Sequence, residues 1–211
     1  MNRERDDGLV AFFDDAQRLG FLGPGDVARQ IRHAEGFATV VLDARGGERP
    51  RSLVDLGSGG GLPGVVLASC WPESTVVLVD ASRRRCAHLR SARDRLGLDR
   101  LEVLEGRAEE LAHDPRWREV FEVATARGFD VPPRTAEVAA GFVRVGGVAV
   151  VSEPPRLRPD RWPAAPLAGL GWSAATTVRV SDANFAVLRK ERPAAAAHPR
   201  TTRQLVKRPA W

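Results

Sequence analysis

Apolar residues recur every three or four positions in two segments near the start of the chain, and Gly23-Pro24-Gly25 separates these segments. The first segment carries Leu9, Phe12, Phe13, Ala16 and Leu19, and the second carries Val27, Ile31, Ala34, Ala38 and Val41. This spacing puts the apolar side chains on one face of a helix and predicts two amphipathic helices. Gly46, Gly47 and Pro50 then interrupt the pattern. We interpret residues 1–50 as an N-terminal helical cap.

From residue 51 onward, apolar runs of strand length alternate with stretches of helical periodicity. The strand-like runs cover 52–56, 75–80, 101–105, 121–126 and 147–151. The helix-like stretches lie near 63–70, 83–97, 107–112 and 132–144. This alternation predicts a parallel sheet with helices on both faces, because parallel strands need a long crossover connection that is usually a helix.

The pattern changes in the last third of the chain. Residues 152–168 are rich in proline, which predicts no regular structure there. The runs 172–180 and 184–190 are again strand-like, and the short turn Ser181–Ala183 between them requires an antiparallel pair. We therefore predict an α/β protein with a Rossmann-like, mostly parallel sheet of seven strands that ends in an antiparallel hairpin. Residues 51–190 form its main domain.

The positive charge of the chain is concentrated at its C-terminal end. The formal net charge is +5 at pH 7, and residues 189–211 hold seven basic side chains and one acidic side chain. The rest of the chain is therefore close to neutral. We interpret residues 191–211 as a basic tail that binds the phosphates of a polyanion such as RNA. A tail that serves only solubility is the alternative interpretation.

Composition disfavours several classes of protein. The chain has no run of 18 apolar residues and begins with charged residues, so we expect neither a membrane span nor a secretion signal. Two cysteines cannot form a disulfide framework, which favours a reducing cytoplasm. The four histidines are scattered singly, and we expect no metal site.

A glycine-rich turn follows the first predicted strand. Five of the eight residues from Gly57 to Gly64 are glycine. In a doubly wound fold this turn lies at the carboxyl edge of the sheet, where ligands bind, and glycine lets the backbone approach a ligand closely. A dinucleotide fingerprint would place glycine or alanine where Leu62 stands, which argues against a nicotinamide enzyme.

The acid-x-G-x-G-x-G pattern that starts at Asp55 resembles the first motif of class I S-adenosylmethionine-dependent methyltransferases. Asp55, Gly57, Gly59 and Gly61 are therefore candidate cofactor-binding residues. Asp80 ends the second predicted strand, nineteen positions after Gly61. A carboxylate at that place can accept hydrogen bonds from two ribose hydroxyls.

Two alternatives remain for the acids near this turn. Asp80 precedes the predicted helix 83–97 and could act as its N-cap. The segment GRAEEL, residues 106–111, follows the third strand, where this fold meets an adenine ring, and makes Ala108 and Glu109 candidates for that contact. Glu109 could instead have a capping role at the N-terminus of the next helix.

Five segments together resemble one bacterial family, the small-subunit rRNA guanine-N7 methyltransferases, known as RsmG or GidB. The segments are DLGSGGGLPGVVLA, VDASRRRCAHL, GRAEEL, FEVATARGF and the ending VLRKERP followed by HPR. The resemblance covers residues 52–151 and, more loosely, 184–211. Its most specific marks are Leu-Pro-Gly after the glycine turn and Ala-Arg after the fourth strand.

The resemblance implies roles for particular residues. Gly57 and Leu62 would contact S-adenosylmethionine, and Ala108 and Glu109 would border its adenine. Arg127 would bind the cofactor beside the methyl-transfer site and act as the catalytic residue; a structural ion pair is the alternative for this arginine. Ring nitrogen 7 of guanine has a free lone pair and no proton to lose, so the reaction needs no general base.

The resemblance also implies a partner, which is rRNA or the small ribosomal subunit. Family members carry a longer N-terminal helical region and a lysine and glycine after the fifth strand, where this chain has Ser152, Glu153 and Pro154. Two alternatives therefore stay open. One is a methyltransferase of a small heterocyclic molecule, and the other is a non-catalytic RNA-binding module on the same fold.

Overall fold

The computed structural model describes residues 3–211. Its first two elements are helices α1 (Arg3–Arg18) and α2 (Val27–Ala44), as the apolar spacing predicts. Asp26 caps α2 by accepting a hydrogen bond from the backbone N–H of Ala28. Both helices pack on one face of the sheet, and their role as a separate N-terminal cap stays a prediction.

Five parallel strands alternate with helices through the middle of the chain. The strands are β1 (Ser52–Leu56), β2 (Thr75–Asp80), β3 (Leu101–Glu105), β4 (Phe121–Ala126) and β5 (Val143–Glu153). The helices between them are α3 (Gly64–Cys70), α4 (Arg83–Leu96), α5 (Ala108–Leu111) and α6 (Pro132–Phe142). All nine agree with the predicted alternation, although β5 begins earlier than expected.

The chain ends with a hairpin and a short helix. Helix α7 (Ala164–Gly169) precedes β6 (Thr176–Val180) and β7 (Ala183–Arg189), and α8 (Thr202–Lys207) follows them. The sheet order is β3-β2-β1-β4-β5-β7-β6, and β7 is antiparallel to both of its neighbours. The predicted seven-stranded sheet with an antiparallel hairpin is confirmed. The strand order reverses between β1 and β4, so their carboxyl ends flank the crevice where this fold binds ligands.

Two apolar clusters cover the two faces of the sheet. Successive residues of a strand point to opposite faces, and accordingly Leu53 belongs to one cluster and Val54 to the other. The first cluster lies under α1 to α4, and the second lies under α5, α6 and the C-terminal segment. Each fully buried leucine or valine contributes roughly 1.5–3 kcal/mol. Cys86 is completely buried, as a core residue should be.

The prediction that residues 152–168 lack regular structure is wrong. A 3₁₀ turn covers Pro159–Arg161 and helix α7 follows it. Pro163 directly precedes α7, where a missing backbone N–H costs nothing because the first N–H groups of a helix have no partner within it. Burial of Leu167 in the second cluster then stabilises this short helix.

Residues 191–211 pack back onto the second face of the sheet. Arg200 pairs with the buried Glu137 on α6, and Leu205 belongs to the second apolar cluster. The indole of Trp211 donates a hydrogen bond to the backbone oxygen of Arg161 at 3.0 Å. Within residues 3–211, no helix is long and apolar enough to cross a membrane.

Candidate functional site

The glycine turn lies at the carboxyl end of β1 and has a conformation that requires glycine. Gly57 has a φ of +64°, and a Cβ built on it would lie 2.6 Å from the ring of Phe129. Gly61 has a φ of +109°, and its Cβ would lie 2.8 Å from Val65. L-residues disfavour this backbone region, so both glycines are needed by conformation as well as by space.

Asp80 is tied to the glycine turn. Its Oδ2 accepts a hydrogen bond from the backbone N–H of Gly59 at 2.9 Å, and its Oδ1 accepts one from the N–H of Ser82 at 2.8 Å. Ser82 caps α4, since its hydroxyl accepts from the N–H of Arg85, so the N-cap alternative for Asp80 is wrong. Each carboxylate oxygen keeps a lone pair for a further donor.

Asp55 lies beneath the turn and is 1% exposed. Its Oδ1 accepts from the hydroxyl of Thr125 on β4 at 2.7 Å, and its Oδ2 accepts from the backbone N–H of Gly64 at 3.2 Å. Burial raises the pKa of this carboxyl to about 6, and the hydrogen bonds oppose that shift only in part. Asp55 therefore joins β1, β4 and the start of α3 from within the protein.

A cavity of about 240 Å³ opens beside the turn. Its lining includes four of the predicted site residues, which are Gly57, Asp80, Ala108 and Glu109. These residues end or follow three neighbouring parallel strands, whose carboxyl ends meet at one edge of the sheet. We call this space the first cavity.

The wall of the first cavity includes helix α8, which the sequence analysis did not identify as part of the site. Thr202 and Leu205 line it, and the hydroxyl of Thr202 donates to Oε1 of Glu109. Thr201 and Gln204 are three positions apart and form a capping box. That spacing is a sequence signal for a helix here, although it says nothing about where the helix packs.

Leu62 and Gly61 do not line the first cavity. Leu62 is buried in the first apolar cluster, and Gly61 packs against α3. Gly59 does not line the cavity either, but its backbone N–H is hydrogen-bonded to Asp80, which does. The direct contact of these three residues with a cofactor stays a prediction.

A second cavity of about 330 Å³ adjoins the first, and Phe129 and Asp130 line both. Arg127, at the end of β4, lines only the second cavity. Its Nη2 donates to Oε1 of Gln30 on α2 at 3.1 Å, whereas its buried Nη1 has no partner among the described residues. Within residues 3–211 no carboxylate lies in ion-pair contact with Arg127, although the charge of the nearby Asp55 acts on its guanidinium. The choice between the catalytic role and the structural role of Arg127 stays a prediction.

Two further groups lie near Arg127 or around the second cavity. Burial, and then the charge of Arg127, lowers the pKa of His33 on α2 to about 4, so this imidazole is neutral at pH 7. Trp162 lines the second cavity, and its buried indole Nε1 has no partner among the described residues. No local sequence signal identifies Gln30, His33 or Trp162, because only the fold brings the first two close to Arg127 and the third to the same cavity.

Arg161 holds Glu153, one of the residues that stand in place of the family's lysine and glycine. Its Nε lies 2.7 Å from Oε2 of Glu153.

No group of three or more histidine, cysteine, aspartate or glutamate side chains suited to a metal ion occurs in the part of the chain that the structure describes.

The strand order, the glycine turn after β1 and the acid that ends β2 define a class I, Rossmann-like methyltransferase fold. An O-methyltransferase from Bacillus cereus, solved in complex with SAH, has the same fold. The alignment covers 87% of this chain and 91% of the Bacillus cereus protein, with 19% sequence identity and a TM-score of 0.65.

The chain belongs to the GidB family, described as rRNA small subunit methyltransferase G, whose model matches residues 36–153. The protein of that name from Moorella thermoacetica is 30% identical over 74% of this chain and 68% of its own length. The one from Gloeobacter violaceus is 40% identical over 49% of this chain and 41% of its own. The chain spans about half the length of most of the curated relatives it matches.

Proposed function

We propose that this protein is an S-adenosylmethionine-dependent methyltransferase that methylates ring nitrogen 7 of a guanine in small-subunit rRNA. The observation that carries the proposal is the pair of adjoining cavities at the carboxyl edge of the sheet, separated by Phe129 and Asp130. One cavity suits a nucleoside cofactor and the other suits an acceptor base. The family and the names of its members support the same activity.

The residues of the first cavity fit an adenosyl group. Asp80 is 5% exposed and keeps one lone pair on each oxygen, which matches the two hydroxyls of a ribose. Ala108 and Glu109 follow β3, where an adenine would lie next to the ribose. Gly57 leaves the space between the turn and Phe129 free of a Cβ. These contacts support S-adenosylmethionine as the cofactor.

Arg127 is suited to positioning a reactant in the second cavity. Its unpaired Nη1–H can donate to an oxygen of a bound reactant without giving up the bond from Nη2 to Gln30. When bound, the cofactor supplies an electrophilic methyl group on a sulfonium. The lone pair of guanine nitrogen 7 would form the new C–N bond as the C–S bond breaks, and the sulfur would leave as a neutral thioether.

The alignment of guanine nitrogen 7 with the methyl group therefore matters more for this reaction than proton transfer does. No proton leaves nitrogen 7, so the reaction requires no base. The geometry agrees with this requirement, because Arg127 cannot accept a proton. Its neighbour His33 on α2 does not line the second cavity and packs against Phe37 and Phe185.

Methyl incorporation into RNA tests the proposed function. Purified protein with methyl-labelled S-adenosylmethionine should label small ribosomal subunits or their stripped rRNA, and mass mapping of nucleosides should find 7-methylguanosine. Turnover of a small heterocycle without RNA labelling would favour a small-molecule enzyme. Salt-sensitive RNA binding without cofactor binding would favour a non-catalytic module. At subsaturating cofactor, the Asp80→Ala variant should label less RNA than wild type, because it binds the cofactor more weakly.

A further inference from the structure

Helix α8 has one side in the first cavity and the other side in solvent. Thr202 and Leu205 face inward and line the cavity. Arg203, Lys207 and Arg208 are exposed. A single helical element therefore separates the cavity proposed for the cofactor from a positively charged outer surface.

The inner side of α8 completes the cavity wall. The hydroxyl of Thr202 donates to Glu109, the acid proposed to border the adenine. Leu205 is 3% exposed and packs in the second apolar cluster. Displacement of α8 would remove both contacts and open the adenosine side of the cavity to water.

Contacts on either side of α8 hold it in this position. Before the helix, Nε of Arg200 donates to Oε1 of Glu137 at 2.8 Å, and Nη1 donates to the backbone oxygen of Arg208 at 2.7 Å. After the helix, Trp211 is bonded to the backbone of Arg161. A helix of six residues is too short to be stable alone in water. Its position depends on these contacts and on whatever binds its outer side.

The cations on the outer side have no partner in the part of the chain that the structure describes. No hydrogen bond or ion pair within residues 3–211 involves the side chains of Arg203, Lys207 or Arg208. They line a shallow surface depression of about 620 Å³ together with Arg200, Thr201 and Gln204. Unpaired cations close together on one surface attract phosphates, and binding releases counterions.

We propose that the outer side of α8 binds the phosphate backbone of RNA, and that RNA and cofactor bind cooperatively because the same helix forms the wall of the cofactor cavity. This inference rests on the proposed function. Phosphates bound to Arg203 and Lys207 favour the position of α8 in which Thr202 contacts Glu109. The coupling is reciprocal, so bound cofactor should tighten RNA binding by the same factor.

Calorimetric titration with S-adenosylhomocysteine tests the coupling, because this product analogue does not react. The full-length protein is titrated alone and in the presence of saturating small-subunit rRNA at low salt. We expect RNA to tighten binding of the analogue about tenfold, within the range of roughly 5–150-fold typical of coupled sites. The effect should fade as salt rises, because the RNA contacts are ionic.

Two charge-matched variants locate the effect. In the variant with Arg203→Gln and Lys207→Gln, affinity for the analogue without RNA should stay unchanged, and the tightening by RNA should fall below about twofold. The control variant carries Arg49→Gln and Arg93→Gln, which removes the same charge from exposed residues that do not line the depression. This control should keep the full tightening.

A third variant tests the inner side. Thr202→Val removes the hydroxyl that contacts Glu109 and leaves the outer cations in place, so affinity for the analogue should fall several-fold while RNA affinity without the analogue is retained. Unchanged analogue affinity in this variant, or full tightening in the outer-side variant, would overturn the coupling.

The wild-type protein separates the two proposals. If it methylates RNA but binds the analogue equally well with and without RNA, the coupling is refuted and the proposed function stands. If it binds neither the analogue nor RNA, the proposed function fails, and the coupling fails with it.

Discussion

The backbone N–H of Gly59 donates a hydrogen bond to the carboxylate of Asp80, across the adjacent ends of β1 and β2. The residue proposed to bind the ribose thus also holds the glycine turn in place. Preorganisation of this kind means that a ligand does not have to order the turn when it binds.

Asp80→Ala should weaken S-adenosylmethionine binding by about 1–3 kcal/mol, because the ribose hydroxyls lose a charged acceptor and the N–H of Gly59 loses its partner. Calorimetry measures the affinity, and circular dichroism checks the fold. Asp80→Asn keeps one acceptor oxygen and should lose less affinity. Equal affinity of wild type and a folded alanine variant would contradict the role of Asp80.

Gly57→Ala should impair cofactor binding more than backbone strain alone explains. The new Cβ would meet the ring of Phe129, which lines both cavities. Gly46 is a matched control because its φ is +67° but nothing lies within 4 Å of its Cβ position. Both substitutions should cost about 1–2 kcal/mol of stability through the left-handed backbone.

Only the Gly57 variant should lose cofactor affinity, as measured by calorimetry on both variants. Adding Phe129→Ala to Gly57→Ala relieves the contact. The change in cofactor affinity of the double variant should therefore differ from the sum of the changes in the two single variants. If Gly46→Ala and Gly57→Ala bind the cofactor equally well, the contact with Phe129 has no functional consequence.

Asp55→Asn should change how stability depends on pH. The folded-state pKa of Asp55 is raised from 3.8 to about 6, so its carboxyl binds a proton more strongly in the folded state. This contribution to stability is present below about pH 4 and is lost as the pH rises through 6. Two pKa units correspond to roughly 3 kcal/mol.

Urea unfolding at several pH values measures this effect. The free energy of unfolding of wild type should fall relative to Asp55→Asn between pH 4 and pH 7, because asparagine cannot ionise. Asp114→Asn is the control variant. Hydrogen bonds from Arg116 lower the pKa of Asp114 to about 2, so its contribution to the free energy of unfolding changes with pH in the opposite direction. A difference between wild type and Asp55→Asn that is independent of pH would refute the raised pKa.

Arg127→Met should lower the rate of methyl transfer by a factor on the order of 100, because a misplaced reactant loses alignment, while the protein stays folded. A partly buried guanidinium with one unpaired nitrogen adds little stability, and an apolar side chain of similar length can replace it at little cost. Single-turnover kinetics measures the rate, and thermal unfolding measures stability. A large loss of stability with an unchanged rate would assign Arg127 a structural role.

Much of the fold could be predicted because the signals are local. Alternating strand-like and helix-like periodicity identified the seven strands in order, and the short turn before Ala183 identified the hairpin. The glycine turn and the acid that ends β2 identified the crevice for the same reason. The proline-rich segment was misread, because burial of Leu167 outweighs the weak local preference for a helix.

By itself the sequence determined the order of elements, the glycine turn and the positions of Asp55 and Asp80, since periodicity and turn chemistry depend only on neighbours in the chain. Only the tertiary structure decided which distant residues complete the site. Thr202 reaches Glu109 across 93 positions, and Gln30 reaches Arg127 across 97. Such contacts arise when elements distant in sequence pack at one edge of the sheet, and no local pattern encodes which side chains then meet there.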